Sequence, residues 1–181
     1  MFISYGDVND YLSHREEIIF QFMQFLGIDT RGKMIIRGNN IKPHIDGTDV
    51  HFNVSHTEKQ YFIVVSRDEV GIDAEVVNPT ILSIAELVHP IEKNMMLKKK
   101  SAIINTMVWT SKESYLKYKG IGLIGRLDSF YSNWNEGLVY DGNRVAAKIS
   151  FFLLDNTVIA LTSSKQNNLN LVTFYGRDEI S

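Results

Sequence analysis

The sequence contains no cysteine, which excludes a disulfide scaffold, a thiolate zinc site and cysteine nucleophile chemistry. It also lacks any run of eighteen apolar residues, so no membrane-spanning helix is foreseen. An excess of one charge is missing too. With a net charge of −2 the chain has no overall attraction for nucleic acid or anionic membranes, and any basic site must be local. Met1-Phe2-Ile3-Ser4-Tyr5-Gly6-Asp7 lacks the basic stretch and long apolar run of a secretory leader, and a cytoplasmic protein is the default expectation. What is present is ordinary globular material: 44% hydrophobic and 22% charged residues, enough for one domain or two small lobes.

Apolar periodicity predicts the elements. Tyr11, Ile18, Ile19, Phe22, Phe25 and Leu26 recur at helical steps between Asp7 and Leu26, with Gly27 placed to end the helix and the apolar stripe expected to pack under a first sheet. Strand patterns follow at Met34–Ile36, His51–Ser55 and Tyr61–Ser66. Arg67-Asp68-Glu69 then turns the chain into Val70–Val76, which predicts an antiparallel meander. Asn78 and Pro79 suit a helix start, His89-Pro90 begins another, and a long helix is expected from Ser101 to Lys119 before Gly120. Short strands at Gly137–Tyr140, Ala147–Leu154, Val158–Thr162 and Leu169–Phe174 complete the pattern. The expected class is α+β, two lobes each with a small antiparallel sheet and helices, 1–77 and 78–181, with a cleft between them.

Two stretches carry chemistry. In Val70-Gly71-Ile72-Asp73-Ala74-Glu75-Val76 the strand period puts Asp73 and Glu75 on one face and the apolar residues on the other. Paired acids repel unless a cation lies between them, and Mg²⁺ is typically held by one or two carboxylates with substrate phosphates. A solvated polar face is the alternative. In the long helix, Trp109, Glu113 and Lys117 share one stripe, with Lys112 beside it. A Glu113–Lys117 ion pair next to a core tryptophan is the purely structural alternative. Lys98-Lys99-Lys100 reads as an exposed basic face.

Taken in order, Phe52-Asn53-Val54-Ser55-His56, Val70-Gly71-Ile72-Asp73-Ala74-Glu75 and Trp109-Thr110-Ser111-Lys112-Glu113-Ser114-Tyr115-Leu116-Lys117, with Lys119-Gly120-Ile121-Gly122-Leu123, closely resemble the 4′-phosphopantetheinyl transferases of the surfactin type. Lys42-Pro43 resembles the family's Gly-Lys-Pro element, with Ile41 standing where the family has glycine.

The resemblance implies pseudo-twofold related lobes with coenzyme A in the cleft as co-substrate, and transfer of its phosphopantetheine arm to a serine of an acyl or peptidyl carrier protein, releasing adenosine 3′,5′-bisphosphate. It implies Mg²⁺ held by Asp73, Glu75 and Glu113, with Lys117 on the phosphates; Glu113 is also the candidate base, acting directly or through a metal-bound water. Lys42, Pro43, Ser55, His56, Lys112 and Lys117 would bind coenzyme A. The segment before Lys42 is short for the family, which leaves Arg15, Arg31 and Arg37 as candidates for the 3′-phosphate. A monomer with no nucleic-acid or membrane partner is expected. The alternative function is a catalytically impaired module that binds coenzyme A or a carrier protein.

Overall fold

The computed structural model describes residues 1–38, 41–78, 84–122, 126–164 and 170–173. Strand β1 (Phe2–Asp7) runs directly into helix α1 (Val8–Phe25), because the extended Asp7 caps the helix by accepting the Asn9 amide at 2.8 Å. Ile18, Ile19, Phe22 and Met23 of α1 pack on Phe52 of β4 (His51–His56) and on Tyr61, Ile63 and Val65 of β5 (Gln60–Ser66). Ile18, Ile19 and Phe22 of the expected stripe thus seat on the first sheet, whereas Phe25 is largely exposed; the strand order of that sheet is β11 (Asn170–Thr173), β1, β5, β4. Its β1–β11 pair is parallel and the others are antiparallel. Neither β1 nor β3 (Ile41–Ile45), which forms a separate hairpin with β2 (Ile35–Gly38), was foreseen from the pattern.

The second sheet has the order β6 (Val70–Val76), β10 (Thr157–Ser163), β9 (Arg144–Leu154), β8 (Leu138–Asp141), β7 (Phe130–Asn133), antiparallel throughout. The fold is α+β, with two sheet-rich lobes, as the sequence suggested. One feature differs. The predicted meander stops at β5, and β6 crosses to pair with β10. The physical reason is burial on both faces: Val70, Ile72 and Ala74 pack with Ile3, Phe62 and Val64, while the opposite face lies under α3 (Ala102–Lys119). An exposed third strand would have left one of those faces in water. Strand pairing therefore passes Val77 in both directions, since β6 joins the later strands and β11 the earlier ones. The predicted helix from Asn78 to Val88 falls partly on residues outside those described, and 84–86 form a 3₁₀ turn. Helix α2 (Pro90–Lys99) begins as expected, with Pro90 in its first turn and His89 Nδ1 accepting the Ile91 amide at 3.3 Å.

Side chains of β4 join the sheets. Strands β4 and β6 are both edge strands, and β6 presents amides that β10 does not satisfy. Asn53 Oδ1 accepts the Ile72 amide at 3.0 Å, and Ser55 Oγ accepts the Ala74 amide at 3.1 Å. These atoms stand where the carbonyls of a neighbouring strand would be.

Helix α3 approaches β6 closely at Gly71. A methyl group there would lie 2.2 Å from the Ser114 carbonyl oxygen and 2.4 Å from the Tyr118 nitrogen. The helix presents small buried residues to the sheet, Thr106, Thr110 and Ser114. Their hydroxyls are satisfied locally: Thr110 Oγ1 donates to the Thr106 carbonyl at 2.7 Å, and Ser114 Oγ to the Gly71 carbonyl at 3.0 Å.

Because both clashing atoms belong to backbone, Gly71→Ala must push α3 off the sheet. The variant is expected to lose at least about 2 kcal/mol of stability, read from urea unfolding; a wild-type midpoint would contradict this packing.

Candidate active site

Strand alternation carries Asp73 and Glu75 out on the same side as Gly71, directly beneath α3. From the helix, Trp109, Glu113 and Lys117 descend toward them on successive turns. Lys117 Nζ reaches Asp73 Oδ1 at 2.7 Å and Ser55 Oγ at 3.2 Å, and Ser55 Oγ donates to the same Asp73 oxygen at 2.9 Å. Trp109 Nε1 donates to Glu75 Oε1 at 3.1 Å. The tryptophan therefore orients an acid as well as packing the helix. Lys117 spends its charge on the strand rather than on Glu113 one turn earlier, so the ion pair of the purely structural alternative does not account for this stripe.

Crowding shows in the acids. Burial, then the neighbouring Asp73 charge, lifts the Glu113 carboxyl to about 7, and Lys117 only partly offsets the rise. Glu75 is also pushed above the ordinary carboxylate range, by burial first and Asp73 second, against the Trp109 hydrogen bond. Asp73 Oδ2 and Glu113 Oε1 are buried with no hydrogen-bond partner among the described residues. An all-oxygen donor set with two such oxygens suits a hard cation such as Mg²⁺. Among the described residues, however, no three acidic or histidine side chains already form a cage for one.

Other sequence candidates are placed differently. Lys112 does not face the cleft: it is fully buried and paired with Glu92 of α2, which is equally buried. Its ammonium also donates to the Phe130 carbonyl and lies 4.2 Å from that ring. Five residues separate it from Lys117, about 140° around a helix, and the two lysines pair with different acids. Lys42 Nζ is held by Glu69 at 2.6 Å, by the Val70 carbonyl at 2.7 Å and by the Tyr118 carbonyl at 3.3 Å, tying β3 to the start of β6 and the end of α3. Pro43 is exposed on β3. Ser55 is buried in the seam, whereas His56 beside it is exposed, with Nδ1 3.4 Å from the Thr57 carbonyl. Arg31 pairs with Asp29 and Arg37 with Glu16, both on the surface, and Arg15 is exposed on α1. Reasoning from sequence missed Asn53 and Glu92. Asn53 could have been found, because it lies two residues before Ser55 and shares its face; Glu92 lies in no motif.

Two measurements test this arrangement. The raised Glu113 carboxyl gives stability that is complete below about pH 4.5 and is lost as pH rises through about 7. In chelator, wild type should therefore lose thermal stability across that window relative to Glu113→Gln; parallel profiles would refute the crowding. For the buried pair, Lys112→Met alone should cost about 3 to 5 kcal/mol in urea unfolding, and Lys112→Met with Glu92→Leu should recover most of it. A small loss in the single variant would contradict the pairing.

Comparison with known proteins finds relatives of one kind. No family model matches the chain. A 4′-phosphopantetheinyl transferase, gsp, of Aneurinibacillus migulanus is 30% identical over 154 residues, covering 79% of this chain and 64% of that protein. The 4′-phosphopantetheinyl transferases ffp of Bacillus subtilis and Sfp of Bacillus subtilis strain 168 are 36% and 34% identical over 94 residues, 49% of this chain and 42% of each relative. The chain thus spans less than two thirds of the length of these relatives. On these matches the chain resembles 4′-phosphopantetheinyl transferases of the surfactin type.

Proposed function

We propose that the chain transfers the 4′-phosphopantetheine group of coenzyme A to a serine hydroxyl of an acyl or peptidyl carrier protein, as a holo-[acyl-carrier-protein] synthase does, releasing adenosine 3′,5′-bisphosphate. The supporting observation is the meeting of Asp73 and Glu75 with Glu113 and Lys117 where α3 crosses Gly71. The relatives named as 4′-phosphopantetheinyl transferases support the choice of reaction.

In the proposed reaction the serine oxygen attacks the phosphorus that bears the pantetheine arm, and the bond from that phosphorus to the bridging oxygen breaks. The electron pair leaves with adenosine 3′,5′-bisphosphate. Glu113 takes the serine proton, as the carboxyl that α3 brings toward Asp73 and Glu75. Lys117, already beside Asp73, supplies positive charge to the phosphoryl oxygens as the transition state develops. Asp73, Glu75 and Glu113 would hold Mg²⁺, which when bound neutralises charge on the pyrophosphate. Trp109 keeps the Glu75 carboxylate oriented.

The test is to incubate the protein with coenzyme A, Mg²⁺ and several apo carrier proteins and weigh each carrier. A gain of one phosphopantetheine is expected; no gain, with coenzyme A still bound tightly, would favour the binding module instead. Glu113→Gln should lower turnover at least 100-fold, within the usual range for loss of a general base. Near-normal turnover would remove Glu113 from that role.

A further inference from the structure

A groove of about 770 Å³ opens from Glu75 along the end of the seam between the sheets. Its walls are the β4–β5 turn at Thr57–Gln60, the end of β6 at Glu75–Asn78, and the β9–β10 turn at Asp155–Thr157. The sheets meet at its edge, where Thr157 Oγ1 lies 3.4 Å from Gln60 Oε1, and within the second sheet the Val77 amide donates to the Asn156 carbonyl at 2.8 Å. The volume is that of an ordinary small-molecule site.

The lining chemistry narrows the ligand. Gln60, Asn78 and Asn156 contribute carboxamides, and Thr57 and Thr157 hydroxyls. The charged lining residues are Glu58, Glu75 and Asp155 against Lys59, a net charge of −3 + 1 = −2. That balance repels a phosphorylated nucleoside, whereas amides and hydroxyls can pair with the amides of an uncharged chain. Resting on the transferase reading, we propose that this groove receives the neutral, diamide pantetheine arm of coenzyme A, with the pyrophosphate at Glu75 and the nucleotide outside the groove. The arm enters where Glu75 forms the wall and runs toward Asn156. A length of polar, uncharged chain then fixes the reacting phosphorus without asking the acidic walls to bind an anion.

The test fills the groove from its rim. Asn156 is exposed in the β9–β10 turn and Val76 is 46% exposed at the end of β6, so Asn156→Trp and Val76→Trp can be made without disturbing the core. Calorimetry on each variant, checked for wild-type melting, should give at least a tenfold weaker affinity for coenzyme A. The affinity for adenosine 3′,5′-bisphosphate should stay within twofold. Equal weakening of both ligands would place the nucleotide in the groove and overturn the assignment. So would unchanged affinity for coenzyme A, including the case in which only the KM for the carrier protein rises. If the wild-type protein binds neither ligand, the transferase reading fails, and the groove assignment with it.

Discussion

The site depends on one contact, the seating of α3 on β6 across Gly71. The missing side chain lets the helix backbone come so close that even a methyl group would overlap it. From that approach follow the reach of Trp109 to Glu75 and of Lys117 to Asp73. It also forces acids together. Two like charges about 6 to 7 Å apart repel by about 2.5 kcal/mol at an effective dielectric constant of about 20, so the crossing would be costly if every carboxyl stayed ionised. The Glu113 and Glu75 carboxyls are raised by burial first and by this repulsion second.

The seam between the sheets shares this burden. Ser55 belongs to the first sheet, yet its hydroxyl accepts the Ala74 amide and donates to Asp73, and it also receives Lys117. Asp73 is thus held by its own strand, by the opposite sheet and by α3. Lys42 closes the far end, where it ties the start of β6 to the last turn of α3. Several motif residues are therefore committed to holding the lobes in register.

Much of this was legible in the sequence, in proportion to how local each cause is. The stripe of Trp109, Glu113 and Lys117 and the alternation of Asp73 and Glu75 follow from helix and strand periods, and both elements formed where expected. The crossing of β6 was not legible. Alternation separates two faces but does not say that α3 will cover the acidic one. The partner of Lys112 was not legible for a related reason: only three-dimensional packing reveals that it is Glu92, twenty residues earlier. The short β1 and β3 carry too little periodicity to stand apart from loop.

Charge balance gives the last constraint. With all three acids ionised, Asp73, Glu75 and Glu113 against Lys117 amount to −3 + 1 = −2 at the crossing. A pyrophosphate approaching that field alone would be repelled, and the Lys117 ammonium is already engaged by Asp73. A divalent cation brings the sum to zero and gives the two unpartnered buried oxygens, Asp73 Oδ2 and Glu113 Oε1, a partner. The same acids that destabilise the resting protein are thus the reason the proposed substrate would enter together with Mg²⁺ rather than before it.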